Sequence, residues 1–342
     1  MYEVNEADIR RILEHHRGGP ITIAEFSQIK RDGFDAFTST RIFLARVDDG
    51  TSYILKTALA LSSSAFVSYL PNSLETEHAL LKLIPSQSDV PTHTIIAFDP
   101  SAALVPFQYL LLAHPGGVPL ALARASGKLS PRQEALLDLR LGAYLKQLHE
   151  RAQNDWFGLP SQAADELYSW QEAFTLLLEA VLEDARAAGV ALPYEDVRRW
   201  LSRAIGFFLF DDCEVPSLVS FAGDEHSTFV DFDLSAEADG VPQDEEVHVT
   251  SFASVGHALW GDPLLETMFL EPSVAFVEGY GGPLIVFARQ RTKRLWYTLF
   301  LSLVVLVQAK RLGLGETDHE KVRWAKETAE KCVAGLKDAP CY

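Results

Sequence analysis

Cysteine is scarce in this chain of 342 residues, with Cys213, Cys332 and Cys341 the three present. An odd number without paired spacing supplies neither a zinc site nor a disulfide framework, and suits a reducing compartment. Positive charge is also short: 30 Lys and Arg stand against 47 Asp and Glu, a formal charge of -17. That balance repels phosphate backbones and anionic bilayer surfaces, so neither nucleic acid nor a membrane is expected as a partner. Met1 to Arg17 is polar and charged, which does not read as a secretory signal. The longest apolar run, Leu295 to Val307, is broken by Thr298 and Ser302 and falls short of the ~20 residues that span a bilayer. It is expected as a buried helix in a cytoplasmic protein.

Recognisable catalytic and metal signatures are missing as well. There is no His-Glu-x-x-His and no Gly-x-Ser-x-Gly. The adjacent His15 and His16 point to different sides of a helix and read as surface, so no metal site is expected. The single Gly33 in Asp32-Gly33-Phe34-Asp35 makes a poor phosphate cradle, because several backbone amides must approach the anion.

What is present is an ordinary globular composition, 48% apolar with 11% aromatic residues, without repeats or low-complexity tracts. Helical spacing over Ala7 to His15 precedes an extended stretch from Pro20 to Phe26. Two β-rich runs between Thr40 and Thr57 flank Asp49-Gly50, the pattern of a hairpin. Ser73 to Ile84 reads as a helix closed before Pro85, and Leu104 to Ala113 as an apolar strand ending at Pro115-Gly116-Gly117. Beyond it, long helices are expected over Arg132 to Arg151, Ala173 to Ala187, Tyr194 to Phe210, Lys293 to Arg311 and Glu320 to Leu336, with short strands between Ser217 and Phe252. The pattern predicts an α+β protein of two lobes: a sheet lobe over 1–113, a hinge at 114–117 and a larger helical lobe over 118–342.

This order of elements, with particular residues, resembles the aminoglycoside-phosphotransferase family. Lys56 ends the hairpin where the family places its phosphate-pairing lysine, and Glu77-His78-Ala79-Leu80-Leu81 is similar to the helix bearing its partner glutamate. Val90-Pro91-Thr92-His93 resembles the turn before the next strand. The block from Gly256 to Glu266, with Asp155-Trp156-Phe157-Gly158 and Gly279-Tyr280-Gly281, is similar to a branch common in fungi. The resemblance covers about Pro20 to Arg311 and implies a two-lobed protein-kinase-like fold, with Lys56 and Glu77 facing each other across a nucleotide cleft. Read without it, a hairpin lysine and a helix glutamate are commonly solvated surface charges. Trp260-Gly261-Asp262-Pro263 is expected as a structural corner.

The family's catalytic and metal-binding residues do not carry over. Its His-x-Asp followed five residues later by Asn falls on Ser220, Ala222 and Ser227, and its second metal-binding Asp falls on Ser254. Alanine has no oxygen to orient a nucleophile, and serine is a poor ligand for a hard dication. A shifted placement puts Asp224 at the catalytic position with Asp231 or Asp233 as metal ligand; ATP and Mg²⁺ are expected as cofactors only on that placement. The acidic segment Leu234 to His248, with Glu237, Asp239, Asp244, Glu245 and Glu246, reads as a solvated extension or a partner surface.

Three functions follow as expectations. One is a repurposed enzyme whose cleft takes a small metabolite and whose Asp224, Glu225 and His226 supply acid–base chemistry for a non-phosphoryl step such as cyclisation or condensation in fungal secondary metabolism. The others are a pseudokinase that binds a metabolite or protein partner without turnover, and a residual phosphotransferase. Against the first stands the plainer reading that the three residues sit on an exposed turn.

Overall fold

The computed structural model describes residues 3–58, 68–235, 246–252 and 254–341. Alternation sorts the residues of the first sheet. In β2 (Thr40–Val47), β3 (Ser52–Ala58) and β5 (Tyr109–Ala113), the set Phe43, Ala45, Val47, Leu55, Tyr109 and Leu111 points one way. There Ile9, Ile12 and Leu13 of α1 (Glu6–Arg17) cover it. Ile54, Leu110 and Leu112 point the other way, into the core shared with α2 (Leu74–Gln87). Lys56 is in phase with Ile54 and so belongs to this second face. With β1 (Ile23–Gln28) and β4 (Ile95–Asp99) the strands form an antiparallel sheet in the order β1-β2-β3-β5-β4.

Two boundaries differ from the sequence expectation. Helix α2 runs through Pro85 to Gln87, because a proline so near the end removes one bond while the Ser88 amide still closes on the Ile84 carbonyl at 2.9 Å. The apolar run from Leu104 enters the sheet only at Tyr109: the Phe107 amide turns back to the Val105 carbonyl at 2.8 Å, burying Val105 outside the strand.

Residues 114–117 carry the chain out of the first sheet. Gly116 and Gly117 have φ of 80° and 65°, and a Cβ on Gly117 would fall 1.8 Å from the Val230 carbonyl oxygen. Short strands follow: β6 (Val118–Pro119), β8 (Phe229–Val230) and β9 (Val249–Ser251) pair in that order, and β7 (Ser217–Val219) pairs with β10 (Leu259–Gly261). Around them stand α3 (Leu120–Ala125), α4 (Pro131–Arg151), α5 (Trp170–Ala187), α6 (Tyr194–Gly206), α7 (Val274–Tyr280), α8 (Ala288–Leu312) and α9 (Glu320–Leu336). The result is the α+β arrangement expected, a small sheet lobe on a larger helical one.

Helix α8 is longer than the apolar run that suggested it. By length and composition alone it would suffice to cross a membrane, yet 67% of its apolar window is buried, and it packs between α5 and α9. The Gly261-Asp262-Pro263 corner is tied to this helix. Asp262 pairs with Lys293 and accepts from the Tyr297 hydroxyl at 2.8 Å, and Tyr297 in turn accepts from the Trp170 indole at 2.7 Å.

Candidate functional site

A cavity of about 270 Å³ lies between the lobes. Its roof is the apolar second face of the sheet, Ile42, Ile54 and Leu112, with Lys56 among them. The Lys56 ammonium forms an ion pair with Glu77 of α2, whose carboxylate is fully buried. The pairing follows from the phase of β3, which aims Lys56 at α2, and from the helical turn that puts Glu77 beside Leu80 and Leu81. The other oxygen of Glu77, Oε1, is buried without a hydrogen-bond partner among the described residues. At the side, burial pushes the His93 imidazole down to about 4, and the Lys56 ammonium and the neighbouring His114 add to the effect. This ring is neutral at physiological pH.

The floor comes from the helical lobe: Pro119, Leu122, Ser227, Phe229, Ser254 and Val255. Hydroxyls, apolar groups and His226 line the cavity there. The carboxylates that line it, Asp32 and Asp35, come from residues 29–39 between β1 and β2, and Asp32 lies 3.5 Å from Lys30 in an exposed pair. Among the described residues no group of three or more His, Cys, Asp or Glu is arranged to hold a metal ion. Magnesium bound with a nucleotide uses one or two carboxylates beside the phosphates and waters, and among the described residues the floor that lines the cavity offers none.

Below the floor the chain makes a strained turn. Ser220, Phe221 and Ala222 are buried, and Phe221 has φ of 62°, which costs a residue with a side chain of order 1 kcal/mol. Glu266, fully buried, holds this turn. Its carboxylate accepts from the amides of Ser220 at 2.7 Å and Phe221 at 3.1 Å and from the Ser220 hydroxyl at 3.1 Å, and it lies 3.3 Å from Nε2 of His149. Ser227 is committed too, accepting from the Asp224 amide and donating to the Asp224 carbonyl, both at 3.0 Å.

No protein-family model matches the sequence, and no curated protein sequence matches it. Solved structures do match. A candidate fructosamine-3-kinase from Haemophilus somnus 129PT superposes with a TM-score of 0.62 at 13% identity, over 95% of this chain and 96% of that one. Aminoglycoside 2'-phosphotransferase-IIIa in its GDP complex gives 0.59 at 13% identity, covering 97% and 99%. A candidate aminoglycoside phosphotransferase from Ralstonia eutropha gives 0.57 at 12%, covering 96% and 99%. The chain has a kinase-like phosphotransferase fold. At these identities the likeness establishes the architecture, and the chemistry rests on the residues.

Within that kinase-like frame, Lys56 and Glu77 meet as the resemblance implied. Asp224, Glu225 and His226 do not lie on a freely exposed turn. All three border a second cavity of about 670 Å³ on the far side of residues 29–39, and His226 borders both cavities. Asp224 accepts from the Phe34 amide at 2.9 Å and from the amides of His226 at 3.0 Å and Ser227 at 3.3 Å. Burial raises its carboxyl above the ordinary range and the neighbouring Asp35 adds to the rise, opposed by the Phe34 amide, His226 and Lys321. Glu225 is paired at 3.0 Å with Arg124, which also pairs with Asp138.

Asp231 and Asp233, the metal ligands of the shifted placement, line neither cavity. Asp231 is exposed and accepts from the His248 amide, and Asp233 caps Ser235 at 2.8 Å. Of the acidic segment, Glu237, Asp239, Asp244 and Glu245 fall outside the described residues, while Glu246 pairs with Arg140 at 2.7 Å. His15 and His16 are exposed, and His16 lies 2.8 Å from the Tyr109 hydroxyl.

Sequence reasoning missed Glu266, His257 and Gly33. His257 is fully buried, with Nε2 2.9 Å from the Phe37 carbonyl and its imidazole pushed down to about 4 by burial. Glu266 and His257 were visible as ionisable residues inside the apolar block Gly256 to Glu266. Gly33 carried no signal, because its role depends on a contact with Asp224 that only the folded chain makes.

Proposed function

We propose that the chain is a small-molecule-binding protein of kinase-like fold, drawn from the fungal branch of the aminoglycoside-phosphotransferase family, in which magnesium-dependent phosphoryl transfer is impaired. One observation carries this reading: among the described residues, the helical lobe presents Ser227, Ser254, His226 and apolar side chains beneath the Lys56–Glu77 pair, and the carboxylates that line the cavity, Asp32 and Asp35, come from the sheet lobe. Phosphoryl transfer requires fixed anionic oxygens to hold the metal and an acid to orient the acceptor. The ligand is a small metabolite held largely by apolar contacts. The structural neighbours' names, which concern fructosamine and aminoglycosides, agree with a small organic ligand. The formal charge of -17 supports a cytoplasmic protein that engages neither nucleic acid nor membranes.

A second reading has its own support. Asp224 with its raised pKa, and His226 between the two cavities, would provide an acid and a base for a non-phosphoryl step on a metabolite in the larger cavity. Binding of a metabolite or a protein partner without turnover is the remaining form of the proposal.

Thermal unfolding with ATP, in the presence and absence of Mg²⁺, tests the main reading, since a ligand selective for the native state raises the midpoint. The expected result is no magnesium-dependent rise at millimolar nucleotide. A clear metal-dependent rise, together with transfer of the γ-phosphoryl group to an acceptor, would overturn it. Loss of turnover in Asp224→Ala and in His226→Ala, with a retained midpoint, would establish the second reading.

A further inference from the structure

The connection between β1 and β2 is unusual for a loop at the tip of a sheet. Such segments ordinarily face water, but here Phe34 and Phe37 are 6% and 0% exposed. They are buried against the other lobe. The Phe34 ring packs edge-on against Trp324 of α9 with centroids 4.9 Å apart, and the Lys321 ammonium sits 4.8 Å over the same ring. Phe37 packs on His319 at 4.9 Å, while its carbonyl lies 2.9 Å from His257 Nε2. His319 Nε2 is 3.2 Å from the Arg31 carbonyl. Arg31 itself fixes the shape of the segment, donating to the Asp35 carbonyl at 2.7 Å and to the Thr38 hydroxyl and the Thr40 carbonyl at 2.6 Å.

We propose that residues 29–39 form a strap that docks across the cleft and walls the interlobe cavity off from the second cavity, with Asp224 as its latch. The wall follows from which side chains border which space. Ile29, Arg31 and Asp35 line the smaller cavity, Phe34 lines the larger one, and His226 touches both. The latch follows from the approach of Gly33 and Phe34. Asp224 takes the Phe34 amide at 2.9 Å, and a Cβ on Gly33 would lie 2.5 Å from both carboxylate oxygens of Asp224 and 2.8 Å from the His226 Cβ. Only glycine admits this contact. A molecule in one cavity reaches a molecule in the other only when the strap undocks, and undocking also frees the Asp224 oxygen that holds the Phe34 amide, while the other oxygen keeps the His226 and Ser227 amides. The strap does not depend on which ligand fills either cavity, so it stands or falls separately from the function proposed above.

Hydrogen exchange read by mass spectrometry on the full chain tests it. In the wild-type protein, amides of residues 33–38 are expected to exchange well below the rate of an open loop. Asp224→Ala removes a charge-assisted bond and should speed their exchange about tenfold or more, while peptides from α5 and α8 keep their rates. Gly33→Ala, which leaves Asp224 in place and blocks the approach, should do the same, as should Trp324→Ala. Open-loop rates in the wild-type chain would overturn the strap. Unchanged protection in Gly33→Ala and Asp224→Ala would overturn the latch. Should Asp224→Ala lose protection throughout the molecule, Gly33→Ala and Trp324→Ala decide by the same two outcomes.

Discussion

The roof of the interlobe cleft keeps one charge facing the cavity, Lys56, paired with the buried Glu77, whereas the buried carboxylate beneath the floor, Glu266, serves the chain and does not line the cavity. Glu77 neutralises a cation that remains beside open space. Glu266 is spent on the backbone of a strained turn and on His149. A buried ion pair next to a cavity stays available to a ligand, while a carboxylate saturated by amides is committed to holding the chain. By this contrast the charge above the cleft borders open space and the buried carboxylate below it serves the fold.

Among single replacements, the one under the floor should have the largest effect. Glu266→Ala leaves two buried amides and a histidine without their acceptor, and the expected loss is about 3–5 kcal/mol, read from the urea midpoint. A loss below 1 kcal/mol would break the contrast, since the turn would then hold without its carboxylate.

Acid comes next. His93 beside the roof and His257 under the strap are both pushed from 6.5 to about 4. The unfolded chain therefore binds protons below pH 6.5 that the native chain refuses until about pH 4. Stability from each is full above pH 6.5 and falls through that window, by about 1.4 kcal/mol per pH unit per histidine. Asp224, whose carboxyl is raised, acts in the opposite sense: the native chain takes up its proton first. Replacing His93 by Phe should remove about half of the slope of stability against pH that these two histidines supply, and an unchanged slope would show that the ring is not held neutral.

Loosening the roof should cost less than loosening the floor. Glu77→Ala leaves Lys56, still 15% exposed, without its partner, at about 1.5–3 kcal/mol. Adding Lys56→Met should recover part of that loss, because the unpaired cation goes with it. If Glu77→Ala proves as costly as Glu266→Ala, roof and floor are equally structural and the contrast disappears.

Local periodicity determined much of this protein without help. The β-rich runs around Asp49-Gly50 marked the hairpin that carries Lys56, and apolar spacing marked the long helices, α9 to the residue, because those patterns are set by neighbours in the chain. The order of sheet, helix, glycine pair and helices was readable in the same way, and the kinase-like architecture was what the family resemblance implied. The tertiary structure alone decided the rest. Whether Glu77 met Lys56 or water, whether Asp224 was a free acid or a latch, and why Gly33 had to be glycine all depend on residues distant in sequence, up to 190 positions apart for Phe34 and Asp224. Burial, and with it the neutral state of His93 and His257, is a property of the packed lobes, because desolvation is exerted by whatever surrounds a group and not by its place in the chain.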